Sequence, residues 1–108
     1  MKGMGGGGMQ ALMRQANQMQ TRMKKMQEEL AAREFEATSG GNAVKVVMLG
    51  DYKVKSVDIQ ADVFSAGDKD MLQDLVVTAI NEAIRVVKTT SDAEMAKITG
   101  GFSVPGMF

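Results

Sequence analysis

Glu34-Phe35-Glu36-Ala37-Thr38-Ser39-Gly40-Gly41-Asn42 is the stretch that decides the fold, because its hydrophobic period of two ends in a turn. Phe35 and Ala37 alternate with Glu34, Glu36 and Thr38, which predicts a strand with one apolar face. Ser39-Gly40-Gly41-Asn42 reverses the chain, since Gly and Asn accept the positive φ of hairpin turns. The Val-rich run Ala43–Leu49 then reads as a second strand, and Gly50-Asp51 makes a second turn. In Val54–Gln60, Val57 and Ile59 face away from Ser56, Asp58 and Gln60, which completes a three-stranded antiparallel meander.

N-terminal to the meander, from Met9 to about Ala32, apolar residues fall at Leu12, Ala16, Met19, Met23, Met26 and Leu30, in alternating steps of four and three. That spacing predicts a helix with a narrow apolar seam, a rod of roughly 36 Å at 1.5 Å per residue, and a seam so narrow calls for another helix beside it. Residues 1–8 are expected to form a flexible Gly-rich tail with nothing to bury. No strand leads into them and no Gly-Lys-Ser/Thr follows, so they are not a phosphate loop.

On the C-terminal side, 61–67 reads as a connector, and Asp68 is a good N-cap with Asp70 in the first turn. Leu72, Leu75, Val76, Ala79, Ile80, Ala83, Ile84 and Val87 form a face broad enough to lie across a sheet. Thr89-Thr90-Ser91-Asp92 weakens helix propensity, so this helix either continues to about Ile98 or restarts near Ser91. Gly100-Gly101 ends it and 100–108 is a short apolar tail. The expected fold is α+β in the order α-β-β-β-α, with residues 9–99 as one domain. One broad helix on a three-stranded sheet makes a small core, and dimerisation would supply the missing surface.

At 108 residues the chain has one core. It contains no Cys and no His, which excludes disulfides, thiol nucleophiles, Ser-His or Cys-His pairs, and zinc sites built from thiolate or imidazole. Four Phe and one Tyr leave little to line a substrate pocket, so the expectation is no enzyme, no cofactor, no metal and no small-molecule substrate. Glu28, Glu29, Glu34 and Glu36 read as solvated faces. No apolar run approaches the ~20 residues of a membrane helix, and the N-terminus lacks the apolar centre of a signal peptide, so the expected location is the cytoplasm.

Formal net charge is zero, but the charges are unevenly placed. Residues 1–27 hold Lys2, Arg14, Arg22, Lys24 and Lys25 and not one acid, whereas acids outnumber bases from residue 56 onward. Such a basic helix face is usually only a solvated surface, but a symmetric dimer doubles it, and the rod is close to the ~34 Å of one DNA turn. There is no helix-turn-helix or zinc-finger signature for base readout, and the first helix has no aromatic for base stacking. What remains is backbone contact of low sequence preference and strong salt dependence.

The sequence resembles the YbaB/EbfC family of bacterial nucleoid-associated proteins over nearly its whole length. The likeness lies in the Gly/Met-rich start, in Met13-Arg14-Gln15-Ala16-Asn17-Gln18-Met19-Gln20, in Lys25-Met26-Gln27-Glu28-Glu29 and in Val44-Lys45-Val46. It is most specific in Asp70-Met71-Leu72-Gln73-Asp74-Leu75-Val76-Val77-Thr78-Ala79-Ile80-Asn81-Glu82-Ala83, and Gly100-Gly101-Phe102-Ser103-Val104-Pro105-Gly106 also fits. The resemblance implies a homodimer with tweezer-like helical arms that binds double-stranded DNA in the nucleoid and organises it or tunes expression. It assigns DNA contact to Lys2, Arg14 and Arg22, then to Lys24 and Lys25, and to Lys88 and Lys97 if the second long helix runs back along the arm. Where family members often carry Asp-Pro after the third strand, this chain has Gln60-Ala61, which implies a longer or differently bent connector. The rival expectation is a dimeric adaptor whose Met-rich seam and apolar tail bind another protein, with DNA affinity incidental.

Overall fold

The computed structural model describes the backbone of residues 2–100 and the side chains of residues 8–100. Six elements follow one another: α1 (Lys2–Ala32), β1 (Glu34–Ser39), β2 (Val44–Leu49), β3 (Val54–Ile59), α2 (Ala61–Ser65) and α3 (Lys69–Thr99). The strands form one antiparallel sheet in the order β1-β2-β3, the expected α+β arrangement.

The β1–β2 turn carries three consecutive left-handed residues, Gly40 (φ 59°), Gly41 (φ 62°) and Asn42 (φ 74°), which is why the chain reverses there. Strict alternation along β1 buries Phe35, Ala37 and Ser39 and exposes Glu34, Glu36 and Thr38. In β2, Val44, Val46 and Met48 are fully buried. Val46 pairs with Val57 and Val44 with Ile59, but Val47 pairs with Ser56 and Met48 with Val54, so a bulge falls at Lys55. The bulge turns Val54 to the same face as Val57 and Ile59, which simple alternation in the sequence did not reveal. The opposite face carries the ion pairs Lys45–Glu36 (3.3 Å) and Lys55–Glu34 beside Val47.

α3 lies over β1 and β2, with Ala79, Ala83 and Val87 completely buried at the contact. Small residues at two of those positions bring the helix close to the sheet. Asp68 caps it as expected, its side chain accepting a hydrogen bond from the Met71 amide at 3.0 Å. The Ser39 hydroxyl donates to the Leu75 carbonyl at 2.6 Å and ties the end of β1 to α3. The connector is not plain coil, since it contains α2 between Gln60 and Gly67.

One boundary differs from the sequence reading, and one alternative it left open is decided. The helical backbone of α1 begins at Lys2, so the glycine run at 5–8 lies within its first turns instead of preceding it. Extending an existing helix needs no new nucleus, although each glycine disfavours it by about 1 kcal/mol relative to alanine. α3 runs unbroken through Thr89-Thr90-Ser91-Asp92 to Thr99. Thr90 and Ser91 are half-buried on the side that meets α1, so packing overrides their weak propensity. Residues 101–108, and with them most of the expected C-terminal tail, lie outside the described residues.

Candidate nucleic-acid interface

α1 and α3 pack as an antiparallel helical pair that extends the molecule to 78 × 25 × 16 Å. The pairing resolves where the α1 seam goes. Leu30 is buried in the core, Met26 packs against it, and Met23 and Met19 are half-buried further out, with Met19 and Ile98 lining one shallow groove. From Met19 to Leu30 the seam is therefore covered by α3 of the same chain.

The seam dictates where the cations point. At about 100° per residue, Arg14 and Lys25 fall within about 20° of each other and about 150° from the centre of the seam, while Arg22 and Lys24 lie about 80° to either side of Arg14. All four side chains are exposed. Among the described residues none of the four forms an ion pair, and residues 8–27 contain no acid. The outer face of α1 thus presents uncompensated positive charge along the arm. The side chain of Lys2 lies outside the described residues.

Lys88 and Lys97 behave differently. α3 does run back along α1 and carries Lys97 out beside it, whereas Lys88, next to the buried Val87 and near Tyr52, stays at the sheet end, and each is held by an acid of its own helix. The Lys88 ammonium donates to Asp92 at 3.0 Å, and this hydrogen bond, followed by the attraction of the same carboxylate, raises the Lys88 pKa above the ordinary lysine value. Lys97 sits 3.6 Å from Glu94. Arg85 is likewise engaged with Glu82. A cation already paired offers little net potential to a polyanion.

Neutral side chains that the sequence left without a role join the cations. Arg14, Asn17, Gln18, Thr21 and Arg22 line one shallow groove on α1, with Gln18 one turn from each arginine. The Thr21 hydroxyl is spent on the Asn17 carbonyl (2.9 Å), leaving the Asn17 and Gln18 amides as donors between two guanidinium groups. The spacing Arg14-Gln18-Arg22, one helical turn per step, was the available signal, but Gln is so common on helix surfaces that spacing alone does not single it out. Among the described residues no cluster of acidic side chains is arranged to hold a metal ion, and no helix is long and apolar enough to cross a membrane.

A second surface is apolar. α3 leaves the inner face of β3 uncovered, so Val54 and Val57 are exposed, and a groove lined by Ile59, Leu72, Val76 and Val77 runs between β3 and α3. Val77, 56% exposed, and Ile84 on α3 and Phe64 on α2, 70% exposed, extend it. Gln73 and Asp74 line the same groove, so these exposed apolar residues form a candidate interaction surface with a polar edge.

The sequence model of the YbaB/EbfC DNA-binding family matches residues 4–102. Nucleoid-associated proteins of Clostridium kluyveri and Thermoanaerobacter pseudethanolicus are each 45% identical over 104 residues, covering 96% of this chain and 91% and 94% of theirs. An uncharacterized protein of Helicobacter pylori, known from a crystal structure, shares the fold with a TM-score of 0.65 at 18% identity, over 77% of this chain and 87% of that one.

Proposed function

The chain belongs to the YbaB/EbfC DNA-binding family, and we propose that it acts as a homodimer that grips the backbone of double-stranded DNA with the outer face of α1. The observation that carries this reading is the set of exposed cations that form no ion pair among the described residues, Arg14, Lys24 and Lys25 on the side of α1 turned away from its seam and Arg22 on the flank beside Met19 and Ile98. Lys2 extends that set toward the end of the rod as a proposal from sequence alone. Lys88 and Lys97 are secondary, because Asp92 and Glu94 already hold them.

Dimerisation is supported by the apolar surface on β3, α2 and α3, which a second copy would bury about a two-fold axis. Two copies also supply what one lacks. A single chain has zero net charge, whereas two α1 faces act together on one polyanion. The relatives' names place them in the nucleoid, and we assign this chain the same cytoplasmic location and a part in nucleoid organisation or gene regulation.

A mobility-shift titration on duplex DNA tests the assignment. Affinity in the micromolar range should fall steeply with rising salt and show little preference among sequences. Changing Arg14, Arg22, Lys24 and Lys25 together to Glu should abolish the shift while circular dichroism stays unchanged. Undiminished binding by that variant would place the contact elsewhere.

A further inference from the structure

Thr21 is the only hydroxyl-bearing residue in the sequence of α1, and it stands among the cations. By helical geometry it lies about 20° from Arg14, about 40° from Lys25, about 60° from Lys24, and about 170° from the centre of the seam that meets α3. Its side chain is exposed and shares one shallow groove with Arg14, Asn17, Gln18 and Arg22. Lys24 and Lys25, three and four residues on, are its neighbours on the helix surface. None of these four cations forms an ion pair among the described residues, and residues 8–27 contain no acid.

A neutral hydroxyl adds little at that position. It donates to the Asn17 carbonyl at 2.9 Å, which already accepts the Thr21 amide within the helix, so giving the bond up costs little. A phosphate on the same oxygen acts very differently. It carries about −1.5 to −2 at neutral pH, and it precedes one lysine by three residues and another by four, the order that favours ion pairs on a helix. Set against four positive side chains, one phosphate cancels close to half the charge of the arm.

We propose that Thr21 is a phosphorylation site that switches the α1 face off, with a nucleoside triphosphate as donor and a protein kinase as catalyst. The inference rests on the reading of that face as the DNA contact. In the transfer, the Thr21 Oγ1 bonds to the γ-phosphorus as the bond from that phosphorus to the β,γ-bridging oxygen breaks. The nucleoside diphosphate leaves with the electron pair, and the hydroxyl proton passes to a base of the kinase. The phosphate then engages Lys24 and Lys25 and withdraws them from DNA while the helix stays intact. Duplex DNA on the same face covers the hydroxyl, so DNA binding and modification oppose each other reciprocally.

Full-length protein carrying phosphothreonine at position 21, introduced during translation, should keep the circular dichroism of the parent. In a mobility-shift titration on duplex DNA it should bind at least about thirty-fold more weakly, with a salt slope smaller by about 3–4 when two arms act together. Thr21→Val, which lacks the hydroxyl at nearly the same volume, should bind as the parent does. Extract of the cells that make the protein, supplied with γ-labelled ATP, should label the parent, should label it far less when excess duplex DNA is present, and should not label Thr21→Val. An unchanged salt slope with the phosphate in place, or equal labelling of the parent and Thr21→Val, would overturn the proposal. So would protein isolated from those cells in growth and in stationary phase with no phosphate on Thr21 in either. The two readings fail differently. If the variant with Glu at positions 14, 22, 24 and 25 still binds DNA, the contact lies elsewhere and both fall, whereas affinity lost in that variant but kept by the phosphoprotein removes the switch alone.

Discussion

At Gly50 an added Cβ would sit 1.7 Å from the Leu30 carbonyl oxygen, in the place where the β2–β3 turn crosses the end of α1. The Gly50 amide also donates to the Arg33 carbonyl at 3.0 Å, so backbone meets backbone with no side chain that can move aside. Gly50→Ala should destabilise the fold by about 2–3 kcal/mol, read as a lower urea midpoint. Ser39→Ala is milder, because it removes one hydrogen bond to Leu75, and a loss of about 1 kcal/mol is expected in the same assay. The sequence identified Gly50 as a turn residue. It did not reveal the contact with Leu30, which depends on where α1 ends in space. The same distinction separates the cations. Arg14 and Lys88 look alike in sequence, but only Lys88 has an acid four residues on that captures it. Arg14→Ala should lower the slope of log affinity against log salt by about 1, whereas Lys88→Ala should leave that slope unchanged, as measured by fluorescence anisotropy on a labelled duplex.

At the scale of elements, periodicity was informative wherever one face of an element is buried within the chain. Phe35 and Ala37 revealed β1, and the left-handed Gly40-Gly41-Asn42 revealed its turn, because local chemistry alone demands them. The bulge at Lys55 was not legible, since an extra residue in an edge strand changes the pairing without changing the composition. The continuity of α3 was undecided for a related reason. Thr89-Thr90-Ser91-Asp92 disfavours helix on its own, and the deciding contribution comes from α1 lying against Thr90, Ser91, Met95 and Ile98. Loosening α1 should therefore fray α3. Met19→Lys with Met23→Lys places two charges in the seam, and hydrogen exchange should accelerate at least ten-fold across residues 90–98 while the strands stay protected. If α3 exchanged as slowly as before, its own propensity would be enough to hold it.

For the molecule as a whole, charge and apolar surface set each other's roles. One chain is neutral and exposes on α1 four cations that form no ion pair among the described residues, while its β3 face exposes Val54 and Val57 beside the groove under Val76 and Val77. If a second copy covers that groove, two arms contribute about eight cations, or about ten with Lys2, and the salt slope is bounded at about −9 for a duplex. A chain that cannot pair keeps its own arm and its own sheet, because the α3 contacts at Ala79, Ala83 and Val87 lie on β1 and β2, away from the groove. Val57→Asp with Val77→Asp buries no charge in the single chain, since both positions are exposed, but it places two carboxylates in the proposed interface and four about the symmetry axis. Sedimentation should show this variant as a folded single subunit with the helix content of the parent. On DNA its affinity should drop and its salt slope should fall to about half, because only one arm remains to displace counterions. A variant that sediments as one subunit yet keeps the parent's slope would mean that a single α1 face is the whole binding unit, and that pairing serves some purpose other than gathering charge.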